Sequence, residues 1–212
     1  MFRDLERRLG RRFARVATNA VVARPGLWRA FRGPMRRQFD RLAPSWDGLR
    51  SGEAFTPLEK ALDGVPSPPA RVLDLGTGTG LAAFLLARRF PEAEVVGVDV
   101  SERMIEQARR NTPPELAARL RFEHADAARL PYPDGSFQLV SLANMIPFFD
   151  ELARVVAPGG SVVFSFSGGA GTPIYVASDV LRRELSSRGF TDFADFAAGM
   201  GTALVARKSD PA

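Results

Sequence analysis

The stretch Val72 to Gly80, VLDLGTGTG, is an apolar run that ends in an aspartate and a turn with glycine at positions 76, 78 and 80. Without a Cβ these residues let the backbone turn sharply and approach a ligand closely. The helix expected after them aims its unpaired N–H groups and the positive end of its dipole at the same spot. Nineteen residues past Gly80, a second apolar run (Glu94 to Val98) ends in Asp99. In a parallel α/β sheet an acid at the tip of the neighbouring strand is placed to accept from both hydroxyls of a ribose. The pattern therefore predicts a seat for a nucleoside with a charged tail. Its bland alternative is a carboxylate that caps a strand end.

Nicotinamide and flavin enzymes also use a glycine-rich turn. Their fingerprint G-x-G-x-x-G/A, counted from Gly76, needs a small residue at position 81, where this chain has Leu81. Here the third glycine falls one place early, and Asp74 stands two residues before the first. Both features resemble motif I of the class I S-adenosylmethionine-dependent methyltransferases. The resemblance continues in order along the chain. VVGVDVSERMIEQARR (95–110) is similar to that family's second strand and helix, and FEHADAARLPYPDGSFQLV (122–140) to its third strand, adenine-contacting loop and fourth strand. LARVVAPGG (152–160) resembles the turn into the fifth strand, and RGFTDFADFAAGMGTALVARK (188–208) the closing antiparallel hairpin. The match spans about residues 40 to 208, and four motifs in the right order make it specific.

The resemblance implies S-adenosylmethionine as cofactor. It assigns the binding role to Asp74, Gly76, Thr77, Gly78, Thr79 and Gly80 around the methionine tail, Asp99 at the ribose, and Val100 and Met104 against the purine. Asp126 and Ala127 fall at the adenine edge, and Ala143 and Asn144 after the fourth strand. Asp126 also suits an Asx-turn, and Val100 and Met104 also suit the core. His124, on or near the third strand, is assigned to structure, because catalytic groups gather at strand tips. FDRLAPSWD (39–47) resembles the segment before the core in the ubiquinone/menaquinone-biosynthesis subfamily, where such a turn folds over the cofactor. On that reading Trp46 and Asp47 belong to a lid; on the bland one they are packing.

Methyl transfer by in-line displacement needs proximity and exclusion of water rather than a nucleophilic side chain. No catalytic residue is assigned. Where many small-molecule methyltransferases carry a histidine pair, this chain reads ANMIPFF (143–149). No N/D-P-P-Y/F motif for adenine-amino methylation occurs, and the absence of cysteine rules out covalent attack on cytosine and thiolate metal sites. No metal is expected. The acceptor pocket is assigned to Trp46, Ile146, Phe148 and Tyr175, with the N-terminal helices around them; its apolar make-up predicts an apolar or aromatic small acceptor.

Two elements must position these groups. Residues 51–212 alternate strand and helix, as in a doubly covered, mostly parallel sheet. Strands are expected near 70–75, 94–99, 119–123, 136–142 and 161–167, helices near 55–62, 79–89, 102–111, 148–156 and 177–188, and a hairpin over 190–197 and 202–207. The resemblance implies a Rossmann-like α/β fold of seven strands in order 3-2-1-4-5-7-6. Residues 1–50 form a separate basic extension or cap, with thirteen arginines against four acids, a net of +9 in a chain of net +5. Phe2, Leu5, Leu9, Phe13, Val16 and Ala20 step by three or four, as do Trp28, Phe31, Met35, Phe39 and Leu42, with a kink or helix start at Gly33-Pro34. Most such stripes pack on their own domain; a basic amphipathic helix can also lie on anionic lipid.

No run approaches the roughly eighteen apolar residues of a membrane span, and no cysteine marks an oxidising compartment. The expectation is a cytoplasmic enzyme, with peripheral membrane contact through residues 1–24 as the alternative location. Arginine outnumbers lysine 27 to 2, so composition alone explains part of the charge. Two other functions stay open: methylation of RNA or protein guided by the basic arm, and a non-catalytic S-adenosylmethionine-binding protein that docks on a membrane or partner. Nucleic acid is disfavoured because the arm's aromatics lie on its apolar stripes. Oligomeric state is left open.

Overall fold

Alternate residues of a strand face opposite sides of a sheet, and the central runs of this chain are apolar at nearly every position. Such strands must be covered on both faces. The computed structural model describes residues 2–49 and 52–210 and shows that arrangement. Two N-terminal helices, α1 (Phe2–Ala23) and α2 (Trp28–Leu42), and a short α3 (Thr56–Leu62) precede the sheet. The chain then runs β1 (Arg71–Leu75), α4 (Leu81–Arg89), β2 (Glu94–Asp99), α5 (Glu102–Asn111), β3 (Leu120–His124), β4 (Phe137–Ala143) and α6 (Phe149–Val155). It ends with β5 (Val156–Phe166), α7 (Ser178–Ser186), β6 (Phe190–Ala198) and β7 (Gly201–Lys208).

The seven strands lie in the order β3-β2-β1-β4-β5-β7-β6, as expected, with β7 antiparallel to both its neighbours. Leu73, Val96, Val140, Val162 and Phe164 point to the layer that holds α1, α2, α6 and α7. Their neighbours Val72, Val95, Leu139 and Val163 point to the layer of α3, α4 and α5. Parallel crossovers bring the carboxyl ends of β1, β2, β3 and β4 to one edge, next to the β1/β4 switch point. α5 shows how local chemistry sets such an element. Ser101 caps it by accepting from the Met104 N–H at 3.2 Å, Glu102 opens it, and Arg109 and Arg110 close it.

Three expectations change. β5 begins at Val156 rather than near 161, because Val156 pairs with Phe137 and the Pro158-Gly159-Gly160 segment is absorbed as an irregularity in the ladder. α2 starts at Trp28 and runs through Pro34, where the carbonyl left without a donor belongs to exposed Ala30. The third concerns α1. Its buried face is Ala14, Ala17, Thr18 and Val21, while Leu9 and Val16 of the predicted stripe stand 56% and 60% exposed. Small residues allow the close approach to the core, so they, rather than the larger apolar ones, set which side turns inward. The second stripe is oriented as predicted, with Trp28 and Met35 buried. The expected division at residues 50 and 51 lies outside the described residues, as do the side chains of Phe2 and Leu5.

The loop that follows β3 is tied down by one arginine. Arg154 on α6 donates to the carbonyls of Leu130 (3.1 Å) and Tyr132 (2.6 Å), to Asp134 (2.9 Å) and to both oxygens of Glu151 (2.6 and 2.9 Å). Glu151 in turn accepts from the Leu130 N–H at 2.5 Å. Burial opposes the Glu151 charge, yet the Arg154 and Leu130 bonds outweigh it and hold its pKa below the usual value. Its stabilising contribution is therefore present above the unfolded pKa and is lost as pH falls through the folded one. Arg154→Ala is expected to lower the unfolding free energy by about 2 kcal/mol, since it orphans several half-buried acceptors at once. Urea melts across acid pH check both points: the variant should be weaker at neutral pH and less sensitive to acid.

Candidate functional site

The turn after β1 is built from the expected glycines. Gly76, Gly78 and Gly80 take φ of +68°, +56° and +93°, the left-handed region that a side chain disfavours. The Gly76 and Thr77 N–H groups both donate to the Val98 carbonyl (2.9 and 3.0 Å), fastening the turn to β2. The Gly78 N–H donates at 3.0 Å to one oxygen of Asp99, and the Ser101 N–H donates at 2.8 Å to the other. Asp99 thus bridges the two loops that β1 and β2 send to the sheet edge. Desolvation raises its pKa above the usual carboxylate value, against the pull of the Ser101 and Gly78 N–H groups.

Asp126 sits on the next loop, after β3. Its Oδ1 accepts from Trp28 Nε1 (2.8 Å) and the Ala128 N–H (3.0 Å), and its Oδ2 accepts from Arg32 (3.0 Å). The Ala128 bond is the Asx-turn that the sequence allowed; the two bonds to α2 were not foreseen. α2 and the turns after it make further links to the same edge. Asp40 accepts from the Ser101 hydroxyl at 2.6 Å, and Asp47 accepts from the Thr79 hydroxyl and, at 3.0 Å, from Asn111. Trp46 lies so close to Gly78 that a Cβ there would stand 3.1 Å from its Nε1, and Trp46 meets Phe39 edge-on at 5.6 Å. Trp46 and Asp47, expected either as a lid or as packing, both touch the glycine turn.

The remaining residues divide by burial. Asp74, Thr77 and Thr79 are buried beneath the turn, and the Thr77 hydroxyl has no hydrogen-bond partner among the described residues. Val100 and Ala127 border the β2 and β3 loops, Val100 half-buried and Ala127 buried. Met104, in the first turn of α5, is 1% exposed, and its backbone N–H donates to the Ser101 cap. Ala143 ends β4, and Asn144 adopts φ +53° while its side chain accepts from the Ser167 N–H at 3.0 Å, joining the β4 and β5 exits. Met145 Sδ would lie 2.6 Å from a Cβ on Gly76, a second wall of the turn that spacing did not single out. His124 is exposed at the carboxyl tip of β3, in register with Asp99, with Nε2 3.0 Å from the Val100 carbonyl.

Of the four assigned acceptor-pocket residues, two line a common space. Phe148 and Tyr175 contribute to a groove of about 910 Å³ between α1, α6 and α7, together with Val22, Phe149 and Val180. Phe148 packs edge-on against Trp28 at 5.3 Å, and Trp28 in turn donates to Asp126. Ile146 is buried in the core at 2% exposure and lines no part of the groove, and Trp46 lies against Gly78 of the glycine turn. No group of acidic or histidine side chains among the described residues could hold a metal ion.

Comparison with known proteins places the same region. Residues 72–160 match the family described as "Methyltransferase domain". The chain is 41% identical over 143 residues to a malonyl-[acyl-carrier protein] O-methyltransferase of Halorhodospira halophila, covering 63% of this chain and 48% of that protein. It is 39% identical over 137 residues to the demethylmenaquinone methyltransferase of Thermus thermophilus, covering 59% and 62%. The chain thus spans about half to three fifths of the length of these relatives. Among solved structures, the fold resembles that in a complex between the Haloferax volcanii Trm112 methyltransferase activator and a protein titled a methyltransferase, with TM-score 0.65, 19% identity and coverage of 81% of this chain and 97% of that one.

Proposed function

We propose that the chain is a class I S-adenosylmethionine-dependent methyltransferase, which its likeness to the methyltransferase-domain family and to the demethylmenaquinone methyltransferase supports, and that it methylates a small acceptor of apolar or aromatic character. One observation carries the reading: a glycine turn in left-handed backbone is held by Asp99, while Asp126 stands at the next strand tip. The residues fit an adenosyl sulfonium. Gly76 and Gly78 form a cradle that any Cβ would crowd, since Met145 and Trp46 stand directly over them. Asp99 and Asp126 supply acceptors spaced along the edge for a ribose diol and an adenine amine.

When bound, S-adenosylmethionine supplies a methyl group on a positively charged sulfur. The chain's own part is to bind and to exclude water. Trp46, Phe39 and Met145 close over the turn with apolar surface, which disfavours the charged ground state relative to a transition state in which that charge is fading. In this proposal Asp74 and Thr77 order the turn from beneath, and no side chain acts as nucleophile. The acceptor enters from the groove floored by Phe148 and Tyr175. The reading of the arm as a track for RNA is weaker. Arg11 and Arg15 donate to carbonyls of the 170–172 segment, and Arg32 is held by Asp126, so these guanidinium groups are engaged within the fold.

Calorimetric titration with S-adenosylmethionine and S-adenosylhomocysteine, followed by methyl-transfer assays on a panel of phenols, quinols and carboxylic acids, tests the proposal. A single site that ignores nicotinamide dinucleotides is the expected result; no heat with either adenosyl compound would end it. Val180→Arg, at the groove, is expected to reduce kcat/KM for an apolar acceptor about tenfold and to leave S-adenosylhomocysteine affinity unchanged. Equal turnover by wild type and variant would remove the groove from the acceptor path.

A further inference from the structure

Of four exposed large apolar side chains among the described residues, three lie on the N-terminal arm: Leu9 at 56%, Val16 at 60% and Leu27 at 41% exposure. Leu9 and Val16 are seven residues apart, two helical turns on one side of α1. That side is not the one packed against the protein, which is formed by Ala14, Ala17, Thr18 and Val21. Leu27 stands at the tip of the α1–α2 hairpin, in the short turn Pro25–Leu27. Between residues 9 and 46 the chain has nine arginines and one acid, Asp40, which is occupied by Ser101. The guanidinium groups of Arg12, Arg24, Arg29 and Arg36 are exposed and make no hydrogen bond or ion pair with another described residue. Exposed apolar side chains set among exposed cations on one hairpin match the two demands of an anionic lipid surface: acyl chains for the leucines and valine, phosphates for the guanidinium groups.

We propose that the α1–α2 hairpin is a peripheral docking surface for anionic membrane lipid, with Leu9, Val16 and Leu27 entering the headgroup region and the exposed arginines pairing with phosphate. The contact is peripheral: no helix among the described residues is long and apolar enough to cross a membrane. The hairpin also carries Trp28 and Arg32, the groups that hold Asp126. Its outer side can therefore meet lipid while its inner side stays on the sheet edge. This inference stands on the arm's exposure and charge and is independent of the methyl-transfer reading.

Flotation of the full chain with vesicles tests it, using equal parts phosphatidylglycerol and phosphatidylcholine against phosphatidylcholine alone. Binding at least about tenfold greater to the anionic vesicles is expected, falling as salt is raised. Leu9→Ser combined with Val16→Ser should cut that binding about tenfold, with the melting temperature and S-adenosylhomocysteine affinity unchanged. Failure to bind either vesicle overturns the proposal. So does binding that the double substitution leaves intact, because charge alone would then explain it. A concentration-dependent dimer in light scattering that the same substitutions dissolve also overturns it, since the stripe would be covered by a second copy.

Discussion

Asp99→Ala is expected to weaken S-adenosylhomocysteine binding about 100-fold, because a carboxylate lost from a ribose diol removes two charge-assisted hydrogen bonds of about 1.5 kcal/mol each. The structure adds a second cost. The Gly78 and Ser101 N–H groups lose their acceptor, so the turn and the α5 start lose the brace between them. Asp99→Asn keeps one acceptor oxygen and should lose only about tenfold. The pH dependence has a distinctive sign. Desolvation raises the folded pKa of Asp99 above its unfolded value of 3.8. This group's contribution to folding stability is therefore fully present below the unfolded pKa and lost as pH rises through the folded one. Ligand affinity runs the other way, since the ribose needs an ionised acceptor: it should fall as pH drops into that window, above the usual carboxylate range. Calorimetry at several pH values on wild type and both variants checks this. An alanine variant that binds within threefold of wild type would remove Asp99 from the ribose.

The strand–helix alternation, the glycine turn and the placement of Asp99 were legible from residue pattern, because each rests on interactions short in sequence or on a repeating unit, whereas the strand order was legible only through the family resemblance. The Val72–Gly80 and Glu94–Asp99 runs pair in register, from Arg71 with Glu94 to Leu75 with Val98, which alone brings the turn to Asp99. Contacts across long separations were not legible. Nothing in the spacing of Trp28 and Asp126, 98 positions apart, announces a 2.8 Å hydrogen bond. The apolar stripe of α1 was misread for a related reason. Period identifies a face but cannot say whether bulky or small residues will meet the core, and here Ala14, Ala17 and Thr18 do.

Asp126→Ala should also cost about 100-fold in affinity for S-adenosylhomocysteine, through loss of a charged acceptor for the adenine amine and release of the cap that this carboxylate holds. Which of its partners must yield to adenine follows from burial. Trp28 is 6% exposed and packed against Phe148, whereas the Arg32 side chain is 56% exposed. A buried indole moves at the expense of the core; an exposed guanidinium exchanges readily with water. Trp28 on this argument orients the carboxylate and stays, while Arg32 gives way to the adenine amine on Oδ2, whose second lone pair remains open. Trp28→Phe is then expected to weaken binding about fivefold, the worth of one hydrogen bond to a charged group that is only partly lost, and Arg32→Ala to leave it unchanged or slightly tighter. The inosine analogue of S-adenosylhomocysteine, which lacks the amine, separates this from a loss of packing. Wild type should prefer adenine strongly, Asp126→Ala should lose the preference, and Trp28→Phe should lose part of it. The chain's only tryptophans are Trp28 and Trp46, one on Asp126 and the other on Gly78, so intrinsic fluorescence reads both ends of the seat directly. If Arg32→Ala weakened binding more than Trp28→Phe, or if adenine and inosine bound alike to wild type, Asp126 would be a tether for the cap and not the adenine acid.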